Sequence, residues 1–150
     1  MANELPGMTL KAIGLVRSEI KQPMGQDGKE IVSDIVIDIS LTEALDNLDD
    51  FSHIIVLYWM HRATNRQVRN KVCPMGRQEV PLVGLFATRS PHRPNPIGVA
   101  TVRLLQRQGN ILRVKGLDAI DGTPVIDIKP YLPGYDSATD IKVPPWITSR

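Results

Sequence analysis

Cysteine is almost absent from this 150-residue sequence, with Cys73 standing alone. One thiol cannot close an internal disulfide or build a multi-cysteine zinc site, and no nucleophile signature surrounds it, so the chain suits a reducing compartment. Histidine is scarce as well: His53, His61 and His92 are the full set. Placed on one extended strand, His53 and His61 stand roughly 26 Å apart, too far to share a metal ion. Asp118, Asp121 and Asp127 fall close together in sequence, yet their spacing matches no calcium loop, and no metal is expected. The longest apolar run, residues 54–60, is far too short to span a bilayer. The start of the chain shows no succession of basic stretch, apolar run and cleavage site. The expectation is a cytoplasmic protein without membrane association. A G-x-G-x-x-G loop is missing too, which removes the Rossmann route to nucleotide binding.

What is present has the size and balance of one globular domain covering residues 1–150, with 42% hydrophobic and 23% charged residues, enough to bury a core. The net charge of +2 hides a segregation. Residues 1–50 hold four basic and ten acidic side chains; residues 51–117 hold eleven basic ones against Glu79 alone; residues 118–150 hold three against five. The central stretch is thus strongly cationic. A surface that meets phosphates needs such an excess, because each neutralised phosphate releases condensed counterions. The plainer alternative is that folding brings the three segments together and mixes their charges.

Apolar and polar residues are interspersed over Thr9–Arg17 and alternate more cleanly over Ile31–Ser40, where Ile31, Ser33, Ile35, Ile37 and Ile39 share a face; both predict half-buried strands. Ser40-Leu41-Thr42-Glu43 has the spacing of a capping box. Leu41, Ala44, Leu45 and Leu48 then recur at helical intervals, which predicts the chain's one clear helix. His53–His61 is rich in β-branched and aromatic residues and reads as a long central strand covered on both faces. Residues 62–79, basic and polar, read as a loop. Pro81–Thr88 reads as another strand, and Ile97–Gln106 and Ile111–Leu117 as a hairpin about Gln108-Gly109-Asn110. Ahead of that hairpin, the three prolines of Ser90–Pro96 fix φ and delete amide donors, so the segment must be a stiff loop. A turn-rich patch, Asp118–Pro124, leads into Val125–Tyr131, after which Pro133, Gly134, Pro144 and Pro145 predict an extended C-terminal arm. Six or seven strands, one short helix and no βαβ rhythm predict a mainly β fold: a single-domain, antiparallel-rich barrel, closed or nearly so.

The proline-pinned loop concentrates hydrogen-bonding groups. Arg89 and Arg93 offer forked donors for a carboxylate or phosphate, Asn95 offers an amide that can read an adenine edge, and Gly98 permits close backbone approach. A rigid loop of this kind preorganises those groups for an anionic or nucleotide ligand. Its structural alternative is a turn whose arginines cap carbonyls. The aspartates of the second patch could meet a ribose diol or a sulfonium cation, and Asp121-Gly122-Thr123-Pro124 is equally good turn chemistry.

The stretch Gly84-Leu85-Phe86-Ala87-Thr88-Arg89-Ser90-Pro91-His92-Arg93-Pro94-Asn95-Pro96-Ile97-Gly98, the segment Asp118–Lys129 with Pro130-Tyr131 after it, Phe51-Ser52-His53 and His61 together resemble the TsaA-like, TrmO-type family. The resemblance implies a non-Rossmann β-barrel that binds S-adenosylmethionine and works as a homodimer with its site near the subunit boundary. Its implied activity is methylation of N6 of threonylcarbamoyladenosine beside the anticodon of tRNA. It further implies cofactor contacts at His61, Arg62, Arg89, Val99, Asp118, Ala119, Ile120, Asp121 and Gly122, and RNA or substrate contacts at Arg93, Asn95, Lys129 and Tyr131. Asp118, Asp121 and His61 are the candidates for a catalytic base. Where the family usually carries Pro-Arg-Gln near its N-terminus, this chain has Lys21-Gln22-Pro23. Two alternatives stay open: a cofactor- or RNA-binding protein without transfer activity, and a methyltransferase acting on a small metabolite.

Overall fold

The computed structural model of the chain describes residues 4–19, 29–63 and 67–148; Lys21-Gln22-Pro23 lies outside them. Strand-forming residues at period two dominate these segments, and antiparallel pairing is their outcome. Six strands close a barrel in the order β1 (Gly14–Arg17), β2 (Val32–Ile37), β7 (Ile111–Lys115), β6 (Ile97–Gln108), β3 (His53–Trp59) and β8 (Pro124–Pro130). Two more, β4 (Lys71–Val72) and β5 (Val83–Gly84), form a separate ribbon, so the described residues carry eight strands where six or seven were expected.

Alternation decides which side chains enter the barrel. Ile35 and Ile37 of β2, Ile54 and Val56 of β3, Val102 and Leu104 of β6, Leu112 and Val114 of β7, and Val125 of β8 are all buried in one cluster. Each such side chain contributes about 1.5–3 kcal/mol by leaving water. Leu112→Ala is accordingly expected to cost about 2–5 kcal/mol, read as a lower urea midpoint at unchanged slope; an unchanged midpoint would place Leu112 outside the core. The β6–β7 hairpin turns on Gly109 and Asn110, with Gly109 at φ +62°, a value that glycine adopts without strain.

Four expectations need correction. The helix predicted after Ser40 is a 3-10 helix, Ile39–Leu45, capped by Asp38 and not by Ser40. The Asp38 carboxylate accepts from both the Ser40 amide and the Ser40 hydroxyl, each at 2.9 Å, which turns that hydroxyl back from the helix it was expected to cap. The Ser40 amide, then its hydroxyl, holds the Asp38 carboxyl below its usual pKa. The cap's stabilising effect is therefore complete above the ordinary carboxylate range and is lost as pH falls through the lowered value. Nor is this the chain's one helix, since single α-helical turns occur at Pro133–Asp136 and Pro145–Thr148 within the otherwise exposed C-terminal arm.

Pro81–Thr88 is not a strand beyond Val83–Gly84. Leu85–Ala87 winds instead into a 3-10 turn that buries Leu85 and leaves Phe86 exposed, and the Thr88 hydroxyl closes it by donating to the Leu85 carbonyl at 2.7 Å. β3 stops at Trp59, short of His61, because the Met60 amide is taken by the Pro96 carbonyl at 2.7 Å and the chain turns through His61–Ala63. The charge segregation is also partly undone by folding. Arg107 pairs with Asp46, Arg113 with Asp34 and Lys115 with Glu30, joining the cationic middle to the acidic first third. Among the described residues no helix is long and apolar enough to cross a membrane.

Candidate functional site

One mouth of the barrel gathers three segments far apart in sequence. β3 delivers Tyr58 on its inward face, directly opposite Gly98 of β6. A Cβ on Gly98 would lie 2.5 Å from the Tyr58 ring, so the glycine at the end of the proline loop gives its space to a tyrosine. Beyond Tyr58 the chain turns through His61 and Arg62. From the other side come Arg89, Pro91 and His92 of the proline loop, and Asp118, Ala119, Ile120 and Thr123 from the turn between β7 and β8. Together with Met60 and Ala63 these residues line a pocket of about 470 Å³, within the roughly 300–1,000 Å³ of small-molecule sites.

The walls are held by short-range bonds that need few residues to make. In the proline loop Arg93 Nη1 donates to the carbonyls of Thr88 at 2.8 Å and Ser90 at 3.0 Å, and its guanidinium lies 5.7 Å from the centre of the Phe86 ring. The Thr88 and Ser90 side-chain oxygens accept from the Ser90 and His92 amides. In the opposite wall the buried Thr123 hydroxyl donates to the Ile120 carbonyl at 2.6 Å. Gly122, at φ +84°, donates its amide to Val16, and the Asp121 carboxylate accepts from the Ser18 amide at 3.0 Å. Both walls are thus preorganised, and the entropy lost on ligand binding is reduced.

Electrostatically the pocket is bipolar. Burial, and then the Asp118 carboxylate, pushes the Tyr58 phenol above its ordinary pKa, while the Arg89 guanidinium acts in the opposite direction. Both charges therefore act on one phenol from across the pocket. His92 Nδ1 is buried there without a hydrogen-bond partner among the described residues. A ligand acceptor or donor would satisfy it. An apolar floor, a guanidinium fork, a carboxylate and an unsatisfied imidazole nitrogen fit a nucleoside that carries both an amino acid carboxylate and a positive centre. Among the described residues no group of three or more His, Cys, Asp or Glu is placed to hold a metal ion.

Of the residues singled out in the sequence, His61, Arg62, Arg89, Asp118, Ala119 and Ile120 line this pocket. Asp121 and Gly122 sit behind its wall and tie the turn to β1. Val99 is on the outer surface of the barrel, 46% exposed and paired with Leu57. Arg93 staples the loop, and Asn95 is exposed at its tip. Lys129 pairs with Asp127 on the outside of β8, and Tyr131 stands edge to face with His53 at 6.4 Å. His53 is five strand residues from Tyr58, so Tyr131 lies roughly 17 Å along the barrel from the pocket floor. Pro91, His92 and Thr123 are lining residues inside the motifs to which no contact was assigned, and Tyr58, Met60 and Ala63 line the pocket from outside the motifs. Strand parity with Ile54 and Val56 was the available signal for Tyr58.

The family model for the tRNA-methyltransferase O N-terminal domain matches residues 17–137. A "Probable S-adenosyl-L-methionine-binding protein" of Archaeoglobus fulgidus is 47% identical over 89% of this chain, which spans 37% of that relative. An "S-adenosyl-L-methionine-binding protein" of the same organism is 42% identical over 90% of this chain and is spanned over 97% of its own length. A "tRNA (adenine(37)-N6)-methyltransferase" of Mus musculus is 42% identical over 67% of this chain, which spans 23% of it. Among solved structures, TrmO from Pseudomonas aeruginosa superposes with a TM-score of 0.73 at 30% identity, over 93% of this chain and 61% of the other.

Proposed function

Because this chain belongs to the tRNA-methyltransferase O N-terminal domain family, we propose that the pocket at the barrel mouth binds S-adenosylmethionine and that the protein transfers its methyl group to an adenosine of tRNA. The finer reading is transfer to N6 of threonylcarbamoyladenosine beside the anticodon. The observation that carries the cofactor assignment is the convergence of His61-Arg62, Arg89 and Asp118–Ile120 on one pocket; the RNA substrate follows the name of the methyltransferase relatives. When bound, the cofactor supplies an electrophilic methyl on a sulfonium centre, for which in-line positioning provides much of the barrier reduction.

The protein's own residues do the positioning. Arg89 presents a fork to the cofactor carboxylate. Ala119 and Ile120, both buried, give the pocket an apolar wall, and His92 Nδ1 offers a hydrogen bond to the nucleoside. His61 and Asp118 are the two base candidates on the pocket lining, and either can accept the N6 proton as it leaves. Asp121 is spent on holding the turn. Cations other than Arg89 serve the RNA. Among the described residues Arg62, Arg69, Lys71 and Arg93 form no ion pair with an acid, and the Leu85 amide bonded to the Asn70 carbonyl at 2.8 Å attaches the Arg69-Lys71 stretch to the entry of the proline loop. Val99, on the outer wall, can contact a cofactor only across a subunit boundary. A homodimer built on that wall is part of the proposal, and sedimentation of the pure protein should show twice the chain mass.

The test is incubation of the purified protein with methyl-labelled S-adenosylmethionine and tRNA that carries or lacks threonylcarbamoyladenosine. Label should enter the modified tRNA alone. Binding of the cofactor without transfer to either tRNA would favour a binding protein, a reading supported by the name of the archaeal relative of similar length; turnover without RNA would favour a metabolite substrate.

A further inference from the structure

The floor of the pocket brings Tyr58, which lies outside the family motifs, together with two motif residues, Gly98 and Asp118. Tyr58 packs against the barrel core on one side and lines the pocket on the other. Its ring lies so close over Gly98 that even a methyl group there would sit 2.5 Å from two ring carbons. Asp118, from the far wall, lines the same pocket and is near enough to bear on the phenol electrostatically. An aromatic face beside a carboxylate, both partly removed from water, is the arrangement that recognises a small organic cation.

We infer that Tyr58 and Asp118 form a cation-selective floor for the sulfonium centre, with the ring set in position by Gly98. The inference rests on the reading that this pocket holds S-adenosylmethionine. Tyr58 is here a residue that contacts and positions the cofactor; it takes no proton and forms no bond. The consequence lies in turnover. Methyl loss converts the sulfonium to a neutral thioether, so a floor that favours the cation holds S-adenosylhomocysteine less tightly and eases its release.

Calorimetric titration of the full chain with S-adenosylmethionine and, separately, S-adenosylhomocysteine reads the floor directly as a ratio of affinities. The wild type should prefer the cation by about tenfold, and Tyr58→Phe, which keeps the ring face, should retain that preference. Tyr58→Leu, which leaves Asp118 alone to favour the cation, should lower the ratio several-fold with the thioether's affinity little altered. Gly98→Ala, which leaves the tyrosine present but forces its ring to move, should do the same. A purely structural role for Tyr58 would weaken both ligands together and leave the ratio intact, and that result would overturn the inference. So would a wild-type ratio of one. Failure of the wild type to bind either compound would instead overturn the assignment of the pocket to the cofactor.

Discussion

Arg89→Ala is expected to weaken S-adenosylmethionine binding by about 10- to 100-fold, the loss that follows from deleting one charge-assisted hydrogen-bonding group at roughly 1.5–3 kcal/mol. Arg89 lines the pocket and forms no ion pair among the described residues, so no described carboxylate competes for its fork. The loop that carries it is held by Arg93, Thr88 and Ser90, and the substitution should leave that scaffold folded. Arg89→Lys restores the charge without the planar pair of donors and should recover only part of the affinity. Lys129→Ala should leave cofactor binding unchanged, since Lys129 is occupied by Asp127 at 3.1 Å on the outer wall of the barrel. Calorimetry on the three variants checks all of this, and equal affinity in wild type and Arg89→Ala would remove Arg89 from the site.

The second large effect belongs to the RNA. Arg62, Arg69 and Lys71 are exposed, Arg62 on the pocket lining and Arg69-Lys71 joined to the entry of the proline loop through the Asn70 carbonyl; replacing all three by alanine should weaken tRNA binding, and replacing Arg69 and Lys71 alone should do so while sparing cofactor affinity. The signature is the salt dependence. Each lost phosphate contact lowers the slope of log K against log salt by about 0.7–0.9, so the triple variant should bind with a slope smaller by roughly 2 to 3. By contrast, Arg107, Arg113 and Lys115 are already matched by Asp46, Asp34 and Glu30, and their replacement should not move the slope. Equal slopes in wild type and the Arg62/Arg69/Lys71 variant would relocate the RNA interface elsewhere.

The contrast between these two sets of cations shows what a sequence can and cannot say about charge. Counting along the chain identifies the cationic middle third, but only the barrel's pairing of β2 with β7 reveals that Arg113 and Lys115 face acids from the first third. The barrel itself was legible, because period-two alternation over residues 31–40 and 97–117 is a local signal that tertiary packing preserves. Element ends were not. Whether Ser40 or Asp38 caps a turn depends on which way one hydroxyl points, and whether β3 runs on to His61 depends on the Pro96 carbonyl of a distant loop, which accepts from the Met60 amide. The site was half legible for the same reason. Motif-bearing loops announced Arg89 and Asp118, whereas Tyr58 and Thr123 become lining residues only when β3, β6 and β8 close around a common mouth. Gly98 looked like room for a ligand; the structure fills that room with the Tyr58 ring, and its Cβ-less backbone supports the site from below.

The account stands most directly on where the cofactor sits. A crystal structure of the protein with S-adenosylmethionine bound should show the carboxylate at Arg89, the sulfonium above Tyr58 and Asp118, and the nucleoside against Ala119 and Ile120. Cofactor bound at the opposite mouth of the barrel, among Leu41, Leu45 and Phe51, would contradict it.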